Sequence, residues 1–120
     1  MHIKKGEIYL ANLGDVKCAD IGKIRPVLIF QNNNLNRMIS DNLYKDVVVI
    51  PLSSQIIQSD FTLVIQKREH LKKDSLILCN TIKMINAKRI MRDKGILCVL
   101  SKEEILQVEQ KVLNVLDISN

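Results

Sequence analysis

Short apolar runs separated by polar breaks recur along this chain, the pattern of strands more than of long helices. Residues 6–13 alternate apolar and polar positions and read as a first strand. A loop over residues 14–24 follows, with Gly14, Asp15, Lys17, Asp20, Gly22 and Lys23, longer than a hairpin needs. Residues 25–31 form a second strand built on Val27-Leu28-Ile29-Phe30. Asn32-Asn33-Asn34 breaks it, and the polar stretch to about Lys45 has room for a short helical turn. Residues 46–51 are a β-branched strand, and Pro51 near its end predicts an edge or a bulge. A second loop runs from Ser53 to about Asp60, then a strand over 61–67 and a polar turn at Lys72-Lys73-Asp74. Residues 75–80 restart a buried strand, predicted to continue through 81–85. A basic connection over 86–94 leads to a last strand, 95–100.

The period then changes. Ser101 and Glu104 have capping-box spacing, and Ile105, Val108, Val112 and Val115 or Leu116 recur at helical intervals. Six or so short strands and one C-terminal helix are therefore expected. Their irregular spacing and two long early loops favour a small, strongly bent sheet or barrel over a flat sandwich.

Length and composition narrow the class. At 120 residues the chain is expected to form one domain over 1–120, large enough for a core without metals or disulfides. Net charge is +5, unevenly distributed. The last twenty residues hold two basic and four acidic side chains, which leaves 16 basic against 9 acidic in the first hundred. A polyanionic partner for the body of the fold is plausible. Cys18, Cys79 and Cys98 are odd in number and lack C-x-x-C spacing, which speaks against a disulfide framework or a zinc site. No signal peptide or membrane-length apolar run is evident, so a reducing cytoplasmic setting is expected.

Candidate chemistry centres on Arg25. Pro26 biases it toward extended backbone, so its guanidinium should stand at the rim of a sheet. There it could present a five-donor fork to an anion, or simply cap the strand in a surface ion pair. No histidine or carboxylate pair has obvious active-site spacing; His2 reads as terminus and His70 as a solvated turn. Asp15, Asp20 and water all remain open as general base.

Five segments carry a resemblance: Gly6-Glu7-Ile8-Tyr9, the Gly22-Lys23-Ile24-Arg25-Pro26 loop end, Ile50-Pro51-Leu52-Ser53-Ser54-Gln55, Lys73-Asp74-Ser75-Leu76-Ile77-Leu78, and residues 82–90. In this order they resemble the MazF/PemK/Kid toxins of bacterial toxin–antitoxin pairs. The resemblance implies a mainly β fold with a C-terminal helix, an SH3-like barrel of the CcdB/PemK type. It further implies a homodimer, a cognate antitoxin, and a metal- and cofactor-independent, sequence-selective endoribonuclease. Arg25 takes the family's catalytic arginine, and Ser53 falls where relatives carry a threonine, keeping the hydroxyl. Asn80-Thr81 replaces the Glu-Gln of many relatives, and residues 32–45 are longer than usual.

Single-stranded RNA is then the expected substrate, cut by 2′-hydroxyl attack to leave a 2′,3′-cyclic phosphate and a 5′-hydroxyl. Lys17, Lys23, Lys83, Lys88 and Arg89 are candidates for a basic groove along the strand, with Ser54, Gln55, Asn80 and Thr81 beside them. Two other classes compete. A CcdB-like gyrase poison is disfavoured because the chain has no Trp. A non-catalytic module binding antitoxin or nucleic acid is disfavoured by the retention of Arg25 and a hydroxyl at 53.

Overall fold

A computed structural model describes residues 2–14 and 24–119. Seven strands form one sheet: β1 (Glu7–Asn12), β2 (Ile24–Ile29), β3 (Asp46–Ser53), β4 (Thr62–Ile65), β5 (Ser75–Leu78), β6 (Lys83–Asn86) and β7 (Ile96–Val99). The path runs β4-β5-β3-β2-β1-β7, with β6 on β3, and every pairing is antiparallel. Helices α1 (Asn33–Ser40) and α2 (Lys102–Val115) complete the fold, with two 3-10 turns, Ala87–Arg89 and Arg92–Lys94. The sheet curls into a half-barrel.

Both faces of the sheet are buried, which is why its central strands read as continuous apolar runs rather than alternating ones. On one face Ile8, Leu28, Ile50, Leu52 and Ile77 pack with Val108 and Val112 of α2. On the other, Tyr9, Ala11, Val27, Ile29, Val47, Val49 and Ile85 form a second cluster that includes Ile39 of α1. Helix α2 starts where its sequence says it should. Ser101 Oγ accepts from the Glu104 N–H, and the Glu104 carboxylate accepts from the Ser101 N–H, the reciprocal capping box. Gly6 has φ +97° and packs so closely on α2 that a Cβ there would lie 2.9 Å from Ile105 Cδ1.

Three local expectations change. The turn expected after Asn32 is a two-turn helix: the Asn32 side chain caps α1 by accepting from the Leu35 N–H, 2.8 Å. Asn36 of α1 is fully buried. Its amide donates to the Gln31 carbonyl and accepts from Gln31 Nε2, while Gln31 Oε1 accepts from the Val48 N–H. Polar residues thus form part of a packed interior, which no apolar pattern could announce.

Pro51 is at neither an edge nor a bulge; it lies buried within β3, opposite Val27. The Phe30 N–H donates to the Val48 carbonyl, so ladder alternation turns the Pro51 nitrogen away from β2. On that other side β3 changes partner, pairing with β6 over Asp46–Val49 and with β5 over Leu52–Ser53. The missing N–H falls in the gap. Residues 75–85 are likewise not one strand. A turn at Cys79 and Asn80, closed by the Thr81 N–H on the Leu78 carbonyl (2.8 Å), separates β5 from β6. Both then pair with β3.

The two sheet edges, β4 and β7, are tied together by the turn after β4. A register shift in the β1–β7 pairing falls at Leu97. The Leu97 carbonyl accepts from the His70 N–H at 3.0 Å. This bond helps to close the half-barrel.

Candidate active-site cleft

Antiparallel pairing brings the C-terminal ends of β1 and β3 and the N-terminal ends of β2, β5 and β7 to one mouth of the half-barrel. A cleft of about 1410 Å³ opens there. Arg25, Pro26, Ser53, Ser54, Gln55, Asn80 and Thr81 all line it. Residues distant in sequence meet because the strand ends converge.

Arg25 is half-buried, in β2, and pairs with Ala11 of β1. On its other side the β2–β3 register sets Val27 opposite Pro51. Carried two residues further toward the strand ends, that register sets Arg25 opposite Ser53. Both side chains then belong to the same face of the sheet. The Ser53 hydroxyl oxygen accepts from the Gln55 N–H (3.1 Å), which orients the side chain and leaves its O–H proton available to a ligand. Two ion pairs occur among the described residues, Lys5–Glu109 and Arg68–Glu104. Neither uses Arg25, so the strand-capping ion pair is not seen there.

Beyond Arg25, the lining includes Lys72, Lys73, Lys94 and His70, and no Asp or Glu among the described residues. An anion meets four cationic side chains without an opposing carboxylate. Hydroxyls and amides of Ser54, Gln55, Ser59, Thr62, Asn80 and Thr81 supply neutral donors. The floor is apolar, with Leu10, Pro26, Leu52, Leu76 and Leu97. Ile24 and Ile57, exposed at 52% and 73%, also line the cleft.

Sequence reasoning and the structure divide over the basic residues. Lys83, Lys88 and Arg89 are not brought to the cleft walls. Lys83 lies in β6 opposite Val49, and Lys88 is exposed in the first 3-10 turn. Arg89 Nη1 donates to the Asn12 carbonyl at the end of β1. Lys17, Lys23, Cys18, Asp15 and Asp20 lie outside the described residues. Lys72 and Lys73, read as a polar turn, Lys94, read as part of a connection, and His70 occupy the walls instead. Their signal is tertiary: the turn after β4 is folded back on β7. Asn80 and Thr81 sit in the turn after β5 and not inside a strand.

The remaining ionisable interior is unsuited to nucleophilic work. Burial pushes the Cys79 and Cys98 thiols up to about 11, keeping them protonated at neutral pH. Burial, with its hydrogen bond to Glu7, raises Tyr9 to about 12. Among the described residues no group of three or more His, Cys, Asp or Glu side chains is placed to hold a metal ion. No helix among them is long and apolar enough to cross a membrane.

Comparison with known proteins agrees with this architecture. The sequence profile described as the PemK-like, MazF-like toxin of type II toxin–antitoxin systems matches residues 4–116. An endoribonuclease MazF from Staphylococcus epidermidis is 32% identical over 120 residues, covering 98% of this chain and 90% of the relative. A mycobacterial endoribonuclease solved in complex with its cognate antitoxin superposes with a TM-score of 0.75 at 17% identity, covering 98% of each chain. MazE–MazF from Deinococcus radiodurans gives 0.73 at 13% identity, covering 99% of each.

Proposed function

The chain belongs to the PemK-like, MazF-like toxins of type II toxin–antitoxin systems and is an endoribonuclease; from that premise we propose that its cleft cuts single-stranded RNA without a metal ion, through Arg25 and Ser53. One observation carries the reading. Arg25 and Ser53, at the adjoining ends of the paired strands β2 and β3, both line a cleft whose described lining is cationic and free of carboxylates.

The chemistry follows from that placement. The ribose 2′-hydroxyl attacks the adjacent phosphorus, the P–O5′ bond breaks, and a 2′,3′-cyclic phosphate and a 5′-hydroxyl result. One proton leaves the 2′-oxygen and one reaches the 5′-oxygen, so no net proton is consumed. Negative charge grows on the non-bridging oxygens in the transition state. The Arg25 fork can hold two of them, and the Ser53 O–H can donate to one. Arg25 stabilises charge and does not give up a proton, because guanidinium stays protonated in proteins. Among the described lining residues His70 is the one imidazole, a side chain that can both donate and accept a proton.

Residues 1–120 act as one domain in this reading, in the cytoplasm, as a homodimer. The antitoxin is an acidic, partly disordered segment that covers the cationic cleft. Its apolar side chains would meet the exposed Ile24 and Ile57. The test is cleavage of a long single-stranded RNA by purified, antitoxin-free protein in excess EDTA, beside Arg25→Ala. Cutting by the wild type alone, with 2′,3′-cyclic phosphate ends, is expected. No cutting by either folded protein would return the chain to a binding role.

A further inference from the structure

We propose that Lys72, Lys73 and Lys94 form a second phosphate-binding wall, gripping the backbone of the same RNA strand away from the scissile phosphate, and that the Arg68–Glu104 ion pair holds this wall in place. The proposal rests on the ribonuclease reading above and adds residues that neither the motifs nor the reaction require.

The wall comes from two elements. Lys72 and Lys73 are exposed on the turn between β4 and β5, and Lys94 ends the second 3-10 turn just before β7. All three line the cleft that holds Arg25 and Ser53. None is in an ion pair with a described residue. Like charges gathered on one cleft repel one another, and a polyanion relieves that repulsion. Two nearby carboxylates are otherwise engaged, and the exposed Glu69 and Asp93 neither line the cleft nor pair with these lysines. Asp74 Oδ1 accepts from the Lys67 N–H (2.8 Å), and Glu104 holds Arg68.

The turn bearing these lysines is built to be stiff. Arg68 and Leu71 exchange backbone hydrogen bonds (3.1 and 2.8 Å), and the His70 N–H is bound to Leu97. Arg68 Nη1 donates to Glu104 Oε1 at 2.8 Å, and the same oxygen accepts from the Ser101 N–H at 2.9 Å. Glu104 is thereby fixed at the start of α2. Its partial burial opposes ionisation, yet the Ser101 hydrogen bond and the Arg68 charge prevail and hold its pKa below the ordinary glutamate value. A fixed carboxylate at a helix cap anchors the arginine, and the arginine anchors the turn. Glu104 is a positioning residue, not a catalytic one.

The experiment uses the full chain and a fully 2′-O-methylated RNA, which binds without being cut. Affinity is measured by fluorescence anisotropy across a salt series. Lys72→Ala, Lys73→Ala and Lys94→Ala should each lower the slope of log affinity against log salt by about 0.7, and the triple variant by about 2. Lys45→Ala, which removes an exposed cation outside the cleft, should leave the slope unchanged. Glu104→Gln retains a residue able to close the capping box but loses the charge that holds Arg68. It should raise KM for RNA several-fold at unchanged kcat. An unchanged slope in the folded triple variant would overturn the wall, as would an equal loss in Lys45→Ala or no binding by the wild type. An unchanged KM in Glu104→Gln, or a fall in kcat, would overturn the positioning role. Failure of the underlying reading appears elsewhere, as undiminished cutting by Arg25→Ala.

Discussion

The sheet is apolar on both faces, yet its polar groups are treated differently at the α1 end and at the mouth of the cleft. The face bearing Val27, Ile29, Val47 and Val49 is closed at α1 by a buried polar network, Gln31 with Asn36. The face bearing Leu28, Ile50 and Leu52 is covered by α2 along part of its length, and at the strand ends both faces reach the cleft, Pro26 and Leu52 from this one and Arg25 and Ser53 from the other. Leu52, Leu71 and Leu76 there belong to the cleft as well as to the core. At α1 polar side chains satisfy one another in the interior, while at the mouth the bonds of Ser53, Thr62 and Thr81 are local and exposed and the lining cations are in no ion pair with a described residue. Stability is concentrated where polar groups are paired, and binding where they are left available.

Substitutions can separate the two roles. The largest effect expected is on stability: Leu28→Ala, removing a side chain only 1% exposed, should cost about 2–5 kcal/mol in chemical denaturation. The fraction that remains folded should cut RNA with unchanged specificity. Arg25→Lys keeps the charge and loses the bidentate fork. It should lower kcat/KM by about 10²-fold without moving the denaturation midpoint. A matching loss of stability would mean that Arg25 serves the fold. Asn36→Ala leaves Gln31 without its buried partner and should destabilise by about 1–3 kcal/mol, with kcat/KM per folded molecule unaltered.

The smallest effect at neutral pH belongs to Tyr9→Phe, at about 1 kcal/mol. Its interest lies in alkali. Tyr9 has a folded pKa raised to about 12 from the usual 10, so its contribution is complete below pH 10 and lost as pH climbs toward 12. Tyr9→Phe should flatten the stability decline across that window, read by denaturant titrations at each pH.

How much of this was legible in the sequence depends on whether the signal is local. The capping box from Ser101 to Glu104, the Val108 and Val112 stripe and the β2 run all carry their cause in neighbouring residues, and all appear as read. Arg25 is placed by Pro26 and its strand, again locally. The break between β5 and β6 has no glycine or proline to announce it. Pro51 looked like an edge because the partner exchange that accommodates it is a property of three strands. The placement of the basic residues was the least legible. Lys72 and Lys83 look alike in sequence, and only the fold-back of the β4–β5 turn on Leu97 decides which one reaches the cleft.

The central claim is that Arg25 and Ser53, brought to one cleft at the adjoining ends of β2 and β3, act on one phosphate. A double-mutant cycle on kcat/KM with Arg25→Ala, Ser53→Ala and the pair tests it most directly. If both side chains serve the same transition-state charge, the double variant should lose far less than the product of the two single losses. Strictly multiplicative losses, in variants that fold like the wild type, would show that the two residues act independently and would contradict the account.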